Sequence, residues 1–554
     1  MKKLLAMVLL VGLLCSTAAC GTNTASDSSE GTSESAAVSE TGSESDEPIT
    51  ITIGIDRGAD IVYPEGDSQE NNAWTRAYED AGIKIEYKMV ASGDQYNQKV
   101  ALGIASRDLP DIWKSNKTNF YTAVENGYAY DLTGMKEKYL SDLSKQYTEE
   151  YTIPFEAVMV DGKEYAWPEL NEDPTAGASF LFLRHDWLEA LGREVPTTQD
   201  ELIDTLIAFA KEDPDGNGKD DTYGLAVKKE LWETNHVLEG FFNSYHAYPN
   251  IWYEQDGELV YGTVQAEPMK AALTDLQKLY EAGAIDPEFI VKDSTKVDED
   301  ITALKLGATY SRWWIAGGSM ANSYIADPEK VSGRWWCVET PSADGEPVKL
   351  QSSSSAPNNF FVVNANTEHP EAIYTLINVW FENMFSPDLT EEQYRTYAVA
   401  EDHLPQGFAL ITPWPYINPR LDYIQAVLDG TMEEDELTGE SAAKYSDLQD
   451  FINGSQTRDG YDAYWNYNLA DPHSSSSVRI KYEDSTISNM AYGPSTDTMI
   501  DKMSTLEKLR DETIVQIITG QKSVDEFDAF VEDWYKLGGE DIVKEMNEWY
   551  QTTK

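Results

Sequence analysis

The chain has 554 residues, 41% of them hydrophobic, and its 97 acidic and 42 basic side chains give a formal net charge of −55. This length predicts two or more core-forming units, and the hydrophobic fraction is sufficient for large cores. So negative a surface repels nucleic acid and anionic lipid headgroups, which excludes nucleic-acid binding and disfavours a polyanionic ligand unless a local basic pocket exists.

Residues 1–19 carry the pattern of a secretory signal: two lysines, a short apolar run and small residues before Cys20. The run is too short to span a bilayer about 30 Å thick. The pattern predicts a lipoprotein signal peptide with Cys20 as the lipidated N-terminus; ordinary signal cleavage is the alternative. Residues 20–47 are Ser, Thr, Gly and acidic residues with almost nothing apolar, which predicts a disordered tether.

Strand and helix patterns alternate at the start of the body of the chain. The predicted elements are a strand at 49–55, a helix at 71–81, a strand at 83–90, a helix at 95–105 and a strand at 109–113. This order predicts a parallel sheet wrapped by helices.

Ligands of such sheets lie outside the carboxyl ends of the strands. The loop after the first predicted strand holds Arg57, Asp60 and Tyr63, and Trp113 ends the third strand. We therefore expect these four side chains to be candidates for ligand contact. Trp167 precedes a proline near the place where the chain leaves this sheet, and it is a candidate for the same reason.

Residues 213–224 (DPDGNGKDDTYG) have the ligand spacing of a calcium loop. The predicted ligands are Asp213, Asp215, Asn217, the backbone carbonyl of Lys219, Asp221 and Thr222. Gly218 stands where the chain turns sharply. Gly224 replaces the usual bidentate glutamate, so Asp220, water or a distant residue is needed to complete the shell. An acidic turn without metal is the alternative, and the Ca²⁺ is expected to be structural because it would join a helix end to a strand start.

Further elements follow the loop and its flanks. They are a capped helix over 197–210, strands at 179–184, 222–227, 335–338 and 359–364, helices at 268–284 and 369–377, and a helical region at 493–550. Cys337 lies in the buried strand at 335–338 and is interpreted as a core thiol. With Cys15 removed and Cys20 acylated, Cys337 has no partner for an intramolecular disulfide.

Residues 183–192 (LRHDWLEALG), residues 195–198 (VPTT) and the calcium-type loop together resemble the signature block of family 1 extracellular solute-binding proteins. The resemblance implies an α/β, two-lobe, periplasmic-binding-protein-like fold with a hinge and an interdomain cleft. It places the first lobe at 48–175 and about 350–420, and the second lobe, with the calcium loop, at about 176–349 and 421–554.

The chain contains 15 Trp and 32 Tyr, and aromatic faces with nearby acids and amides suit a sugar. The segment 303–314 resembles the one that supplies sugar-stacking tryptophans in this family, so Trp313 and Trp314 are the first candidates. Trp414 lies in a stiff Pro-rich loop, and Tyr464 and Trp465 lie in the region 385–490, which the resemblance leaves open. Core packing is the alternative for each of them.

The resemblance implies a lipid-anchored, monomeric subunit on the outer face of the cell membrane that captures an oligosaccharide and delivers it to an ABC permease. Enzyme signatures such as HExxH, GxSxG, a P-loop or a zinc-type cysteine set are absent from the sequence, so we expect a protein that is not an enzyme. A secreted glycosidase or polysaccharide lyase is an alternative, because carboxylates are abundant. A surface carbohydrate adhesin without transport is another.

Overall fold

The computed structural model describes residues 48–553 except 58–62, 150, 171–174, 176, 233, 328, 330–331, 353–356, 358, 399–408 and 412–417. None of the helices in this described part combines the length and the apolar character needed to cross a bilayer. Residues from Glu47 onward belong to one compact unit, which is built around two separate β-sheets.

The strands are β1 (Ile49–Asp56), β2 (Ile83–Ala91), β3 (Ile112–Asn116), β4 (Met159–Val160), β5 (Lys163–Glu164), β6 (Ala166–Pro168), β7 (Phe180–Arg184), β8 (Tyr223–Leu225), β9 (Trp252–Gln255), β10 (Glu258–Tyr261), β11 (Leu306–Ser311), β12 (Trp335–Val338), β13 (Leu350–Ser352), β14 (Asn359–Val363) and β15 (Thr486–Ser488).

The helices are α1 (Ala73–Asp80), α2 (Gly93–Ser106), α3 (Lys117–Glu125), α4 (Met135–Tyr139), α5 (Asp142–Thr148), α6 (Ile153–Glu156), α7 (His185–Leu191), α8 (Gln199–Lys211), α9 (Glu239–Asn243), α10 (Ala266–Glu281), α11 (Ser294–Thr302), α12 (Ser319–Ala326), α13 (Ala372–Phe385), α14 (Glu391–Tyr397), α15 (Asn418–Leu428), α16 (Gly439–Ile452), α17 (Arg458–Tyr467), α18 (Ser475–Ile480), α19 (Asp497–Ile518), α20 (Glu526–Trp534) and α21 (Glu540–Thr553).

The first sheet has the strand order β2-β1-β3-β14-β6. Its first three strands are parallel, as predicted, and β14 joins antiparallel to both β3 and β6. Because side chains alternate along a strand, Phe361 and Val363 pack into one core with α1 and α13, while Phe360 and Val362 pack into another with α2 and α3. Helices thus cover both faces of the sheet.

The second sheet has the order β12-β7-β11-β8. Strand β7 shows the same alternation: Leu181 and Leu183 face a core shared with α8, α10 and the C-terminal helices α19–α21, whereas Phe180 and Phe182 face a core shared with α12, α17 and α18. Cys337 is buried in this second core, as expected from its strand, and burial raises the pKa of its thiol. Two sheets, each layered between helices, make the predicted α/β two-lobe architecture.

The chain passes from the first sheet to the second through residues 169–179 and returns before β14. The strands on either side of these passages lie in different sheets. The exact domain boundaries given in the sequence analysis stay a prediction.

Local signals in the sequence explain several helix starts. Thr198 caps α8 and forms a reciprocal capping box with Glu201, as the acids in the first turn predicted. Asn72 caps α1 in the same way, with Thr75. Strand β3 begins three residues later than the predicted strand at 109–113, because the described ladder joins Ile112–Asn116 to β14.

Candidate functional site

The chain crosses from an edge of the first sheet to an edge of the second between β6 and β7. On the first sheet β1 ends at Asp56, directly before Arg57, and β3 ends at Asn116, which pairs with Asn359 at the start of β14. On the second sheet, Phe180 at the start of β7 pairs with Ser311 at the end of β11. Residues 169–179 join these edges along the chain, which makes the space between them the candidate ligand site of a two-lobe fold.

The second-sheet edge, defined here as Ser179, residues 234–239 and residues 311–314, carries a polar network. The Arg312 guanidinium lies 3.4 Å from the Ser179 hydroxyl and 3.9 Å from the Glu239 carboxylate, and Ser179 also donates to Glu239 at 3.3 Å. Ser179 and Glu239 are buried and Arg312 is nearly so. The arrangement holds a cation and an anion beside each other, and Arg312 is the partly exposed member of the three.

The backbone beside this network is strained. Thr234 and His236 have φ of 61° and 58°, in the left-handed region that β-branched residues such as threonine rarely adopt. Between them, Asn235 accepts a hydrogen bond from the backbone N–H of Arg312 at 3.1 Å through its side-chain oxygen. Strain of this kind persists only when the surrounding contacts fix it, and it concentrates at binding and switch sites.

Trp313 and Trp314 follow directly, and the structure separates them. Trp313 is 5% exposed and packs against the Tyr467 ring and the Arg479 guanidinium, 6.1 Å and 4.7 Å from its ring centroid. Trp314 is 44% exposed. Of the pair, Trp314 therefore presents an indole face at the second-sheet edge, whereas Trp313 is part of the core.

At the first-sheet edge, Arg57 is buried and its guanidinium reaches the hydroxyls of Tyr63 and Tyr87, each at 3.5 Å. Lys117, in the first turn of α3, donates from Nζ to the carbonyl of Ala491 at 3.0 Å. Burial lowers the pKa of Lys117 to about 8. Lys117 thus connects the first lobe to a segment that packs on the core of the second.

Trp113 and Trp167 are both almost fully buried. Trp113 is the second residue of β3 and not its last, so its indole points into the core with α2 and α3. It packs so tightly against β1 that a Cβ at Gly54 would lie 2.9 Å from its own Cβ. Trp167 lies in β6, where Phe155 and Tyr374 contact its ring edge-to-face.

The remaining aromatic candidates lie elsewhere. Tyr464 and Trp465 are half-buried on α17, where their rings pack edge-to-face at 4.9 Å and the Tyr464 hydroxyl donates to Asp471 at 3.0 Å. Trp414, Asp60 and the lipidation candidate Cys20 lie outside the described residues. Of the described candidates, Trp314 is the exposed tryptophan, and it lies two residues after Arg312 of the polar network.

The predicted calcium loop is closed by its own side chains. Asp213 accepts from the Gly218 N–H at 3.1 Å, and the Asn217 amide donates to Asp215 at 2.7 Å and to Asp221 at 3.1 Å. Burial, together with the nearby carboxylates of Asp213 and Asp221, raises the pKa of Asp215. Nevertheless, within the residues described no set of three or more His, Cys, Asp or Glu side chains is arranged to hold a metal ion.

Two contacts hold this loop against α8. The Thr222 hydroxyl donates to the carbonyl of Phe209 at 2.8 Å, which ties the loop to α8. A Cβ at Gly224 would lie 2.1 Å from the Leu206 carbonyl oxygen. Close packing of β8 on α8 therefore explains why no glutamate occupies this position.

Three side chains next to the second-sheet edge, those of Thr309, His236 and Asp298, form a hydrogen-bonded series that we call the histidine relay. The His236 ring lies 3.0 Å from the Thr309 hydroxyl through Nδ1 and 3.1 Å from Asp298 through Nε2. Burial acts to raise the pKa of Asp298, but hydrogen bonds from His236 and Ser319 outweigh it and hold the pKa below its usual range. Although the order hydroxyl–imidazole–carboxylate is that of a nucleophile relay, Thr309 and His236 are fully buried, so no substrate reaches the hydroxyl in this conformation.

Two α/β lobes, each built on a sheet layered between helices, are the architecture of the solute-binding protein class. The family described as bacterial extracellular solute-binding protein matches residues 64–388, and this chain belongs to it.

Named relatives match most of this chain at low identity. Lipoprotein LipO of Bacillus subtilis (strain 168) is 24% identical over 504 residues, 90% of this chain and 92% of LipO. The polygalacturonan/rhamnogalacturonan-binding protein YtcQ of the same organism is 24% identical over 409 residues, 72% of either chain.

Solved structures agree with the fold. S. pneumoniae ABC-transporter substrate binding protein FusA in complex with kestose superposes with a TM-score of 0.60 at 17% identity, covering 91% of this chain and 100% of FusA. A FusA EF-hand mutant in complex with fructo-nystose gives the same values. At this identity the likeness establishes the two-lobe fold.

Sequence reasoning missed Ser179, Asn235, His236, Glu239 and Arg312. Arg312 directly precedes the tryptophan pair, so a search for charged neighbours of that pair would have found it. Ser179 and Glu239 are 60 residues apart in sequence, and only the sheet brings them together.

Proposed function

We propose that this protein is the carbohydrate-binding subunit of an ABC importer, in which an oligosaccharide binds in the cleft between the two lobes. The observation that carries the proposal is the exposed Trp314 indole beside the Ser179–Glu239–Arg312 network. An indole face packs on the C–H side of a pyranose or furanose ring, and paired donors and acceptors bind its hydroxyls. The sugar-binding relatives support the same ligand class.

Capture follows from the two lobes. A ligand that contacts both sheet edges stabilises the closed arrangement, because only there do both sets of contacts form. On the second lobe, Trp314, Asn235 and Arg312 would contact the ligand; on the first, the edge around Arg57, Tyr63 and Lys117 would. We leave Trp113, Trp167 and Trp313 out of this set because their indoles lie in the cores.

A secreted glycosidase or lyase is a weaker alternative. The named relatives are binding proteins, and the relay that looks most like catalytic machinery is buried. Delivery of the ligand to a membrane permease, with the closed form as the docking partner, is the function we propose in place of turnover. A non-transport adhesin would lack that closure.

We also propose that the loop at 213–222 binds a structural Ca²⁺. The Asn217 amide donates to the carboxylates of Asp215 and Asp221, and the Asp213 carboxylate accepts from the adjacent Gly218 N–H. Rotation of the Asn217 amide would present a fourth side-chain oxygen. With the backbone carbonyls of Lys219 and Thr222, these oxygens suit a hard cation. The bound ion would neutralise adjacent carboxylates and fix the end of α8 to the start of β8.

The N-terminal sequence supports anchoring by lipid on Cys20, with residues 20–47 as the tether and the body outside the cell membrane. The family and the lipoprotein relative fit this location. We propose that the mature protein acts as a monomer.

A ligand screen tests the proposed function. The full chain, carrying Cys20→Ser to prevent acylation, would be titrated by calorimetry with kestose, xylotriose, cellotriose and trigalacturonic acid. We expect a heat of binding and an increase in melting temperature with at least one of the four. Hydrolysis of any of them by the purified protein would favour the enzyme alternative, and small-angle scattering that shows no compaction with the sugar that binds would contradict lobe closure.

A further inference from the structure

The buried side chain of His236 joins the strained segment at the second-sheet edge to β11 and α11. His236 is 0% exposed, and three hydrogen bonds join it to two other elements. Its backbone N–H donates to the Ser311 hydroxyl at 3.1 Å, its Nδ1 lies 3.0 Å from the Thr309 hydroxyl and its Nε2 lies 3.1 Å from Asp298. Thr309 and Ser311 are on β11, while Asp298 is on α11.

These contacts define a consistent set of donors and acceptors. An Nε2–H that donates to the Asp298 carboxylate leaves Nδ1 as the acceptor of the Thr309 hydroxyl proton. The Thr309 and Ser311 oxygens are 3.1 Å apart, so the Ser311 hydroxyl can donate to Thr309 while its oxygen accepts from the His236 backbone. Every polar atom of the His236 ring is then satisfied by a group on a different element.

The position of His236 connects this relay to the cleft. It ends the left-handed turn that starts at Thr234, and the intervening Asn235 side chain holds the backbone N–H of Arg312. Thr309 and Ser311 lie a few residues before Trp314 on the same strand end. One buried ring thus ties the loop that carries Asn235 to the strand end that carries Arg312 and Trp314.

We infer that His236, oriented by Asp298, is the positioning residue of the carbohydrate-binding edge, holding Asn235, Arg312 and Trp314 in register for a sugar. The inference rests on the proposed function for its ligand, but its structural content is independent of the ligand's identity. Hydrogen bonds suit a positioning residue better than a hydrophobic contact does. Because they are directional and come from two elements, they fix the rotation of the His236 ring as well as its position.

Hydrogen–deuterium exchange of the ligand-free full chain tests the inference directly. In His236→Ala we expect backbone amides at 234–238 and 311–314 to exchange at least tenfold faster than in the wild type, with β7 at 180–184 unchanged. Asp298→Asn keeps an acceptor for Nε2–H, so it should stay close to the wild type, whereas Asp298→Ala should behave like His236→Ala. The asparagine variant keeps the hydrogen bond to Nε2–H, and the alanine variant removes it together with the side chain. Comparing the two shows whether the hydrogen bond orients the His236 ring.

His246 provides a matched control. It also has a left-handed backbone, with φ of 56°, and its Nε2 lies 3.1 Å from Asp344, but the pair is at the surface of the second lobe. His246→Ala should leave exchange at 234–238 and 311–314 unaltered. Wild-type exchange of these segments in both His236→Ala and Asp298→Ala would overturn the inference, as would acceleration that spreads equally over β7.

If His236→Ala does not fold, the two Asp298 variants decide alone: the inference requires that alanine accelerates exchange and asparagine does not. Titration with whichever of kestose, xylotriose, cellotriose and trigalacturonic acid the wild type binds then measures the consequence for binding. We expect at least a tenfold loss of affinity in Asp298→Ala and little change in Asp298→Asn. Absence of binding by the wild type to all four sugars of the screen would count against the proposed function, while the exchange result would still decide the role of His236.

Discussion

Lys117 allows a quantitative test of how the two lobes are joined. Its ammonium group donates to one backbone carbonyl, that of Ala491, and no carboxylate among the described residues lies within 4.0 Å of it. Burial lowers its pKa from 10.5 to about 8. At about 1.36 kcal/mol for each pKa unit, the protonated form costs the folded protein about 3 kcal/mol. Because the side chain keeps some access to water, we expect about 1–2 kcal/mol.

The direction of the pH dependence follows from proton binding. Between pH 8 and about 10.5 the unfolded chain holds a proton on Lys117 that the folded chain has released, so the unfolding free energy contributed by this residue rises with pH across that window. Lys117→Met removes the buried charge. We therefore expect the variant to be more stable than the wild type by about 1–2 kcal/mol at pH 7, with the difference vanishing near pH 10.5.

Urea unfolding at pH 7, 8, 9 and 10, followed by tryptophan fluorescence, measures this difference. Lys99→Met is the matched control, because Lys99 also donates to a backbone carbonyl, that of Val90 at 2.8 Å, but from an exposed position. We expect no change in that variant beyond about 0.5 kcal/mol. A Lys117→Met protein that is less stable than the wild type at pH 7, or whose stability difference stays constant up to pH 10, would refute the reasoning.

Three further predictions address the proposed site, metal and anchor. Trp314→Ala should weaken binding of the sugar found in the screen by about 1–3 kcal/mol, on the scale of one aromatic stacking face, whereas Tyr423→Ala, which removes another exposed aromatic ring, should bind normally; wild-type affinity in the tryptophan variant would remove it from the site. Chelation with EDTA should lower the melting temperature because the ion binds only the folded loop, and the effect should disappear in Asp213→Ala but persist in Asp256→Asn, a change in a different surface turn; an unchanged wild-type melting temperature would argue against a metal. Cys20→Ser should release the protein from the membrane fraction of expressing cells and abolish incorporation of labelled palmitate, and continued lipid labelling would place the anchor elsewhere.

Much of the fold was predictable because its signals are local. The period-2 alternation at 49–55 and 83–90 corresponds to β1 and β2, and the Thr198 capping box marks the start of α8. The order of strands and helices in the first sheet followed from the same patterns. Strand β14 lies more than 240 residues after β3. Its pairing with the first sheet depends on tertiary packing that no local pattern contains.

The site was less predictable, since it depends on which way each side chain faces. Trp113 was expected at the end of a strand, but β3 starts three residues later and its indole points inward. Trp313 and Trp314 are adjacent in sequence and differ only because the turn after β11 buries one and exposes the other. Composition cannot predict which of the two indoles is exposed, because shifting a strand or turn by one residue moves a side chain to the opposite face.

The polar groups at the second-sheet edge differ in how deeply they are buried. The hydroxyl and imidazole that could form a nucleophile relay, Thr309 and His236, are fully buried and satisfy one another's hydrogen bonds. The Asn235 amide, the Arg312 guanidinium beside Glu239 and the Trp314 indole of the same edge are partly or largely exposed. In the proposed function, these groups bind the hydroxyls and the ring face of the sugar. The buried His236 relay fixes the backbone that carries these groups. Removal of His236 should therefore change the conformation of the second-sheet edge before it unfolds the protein.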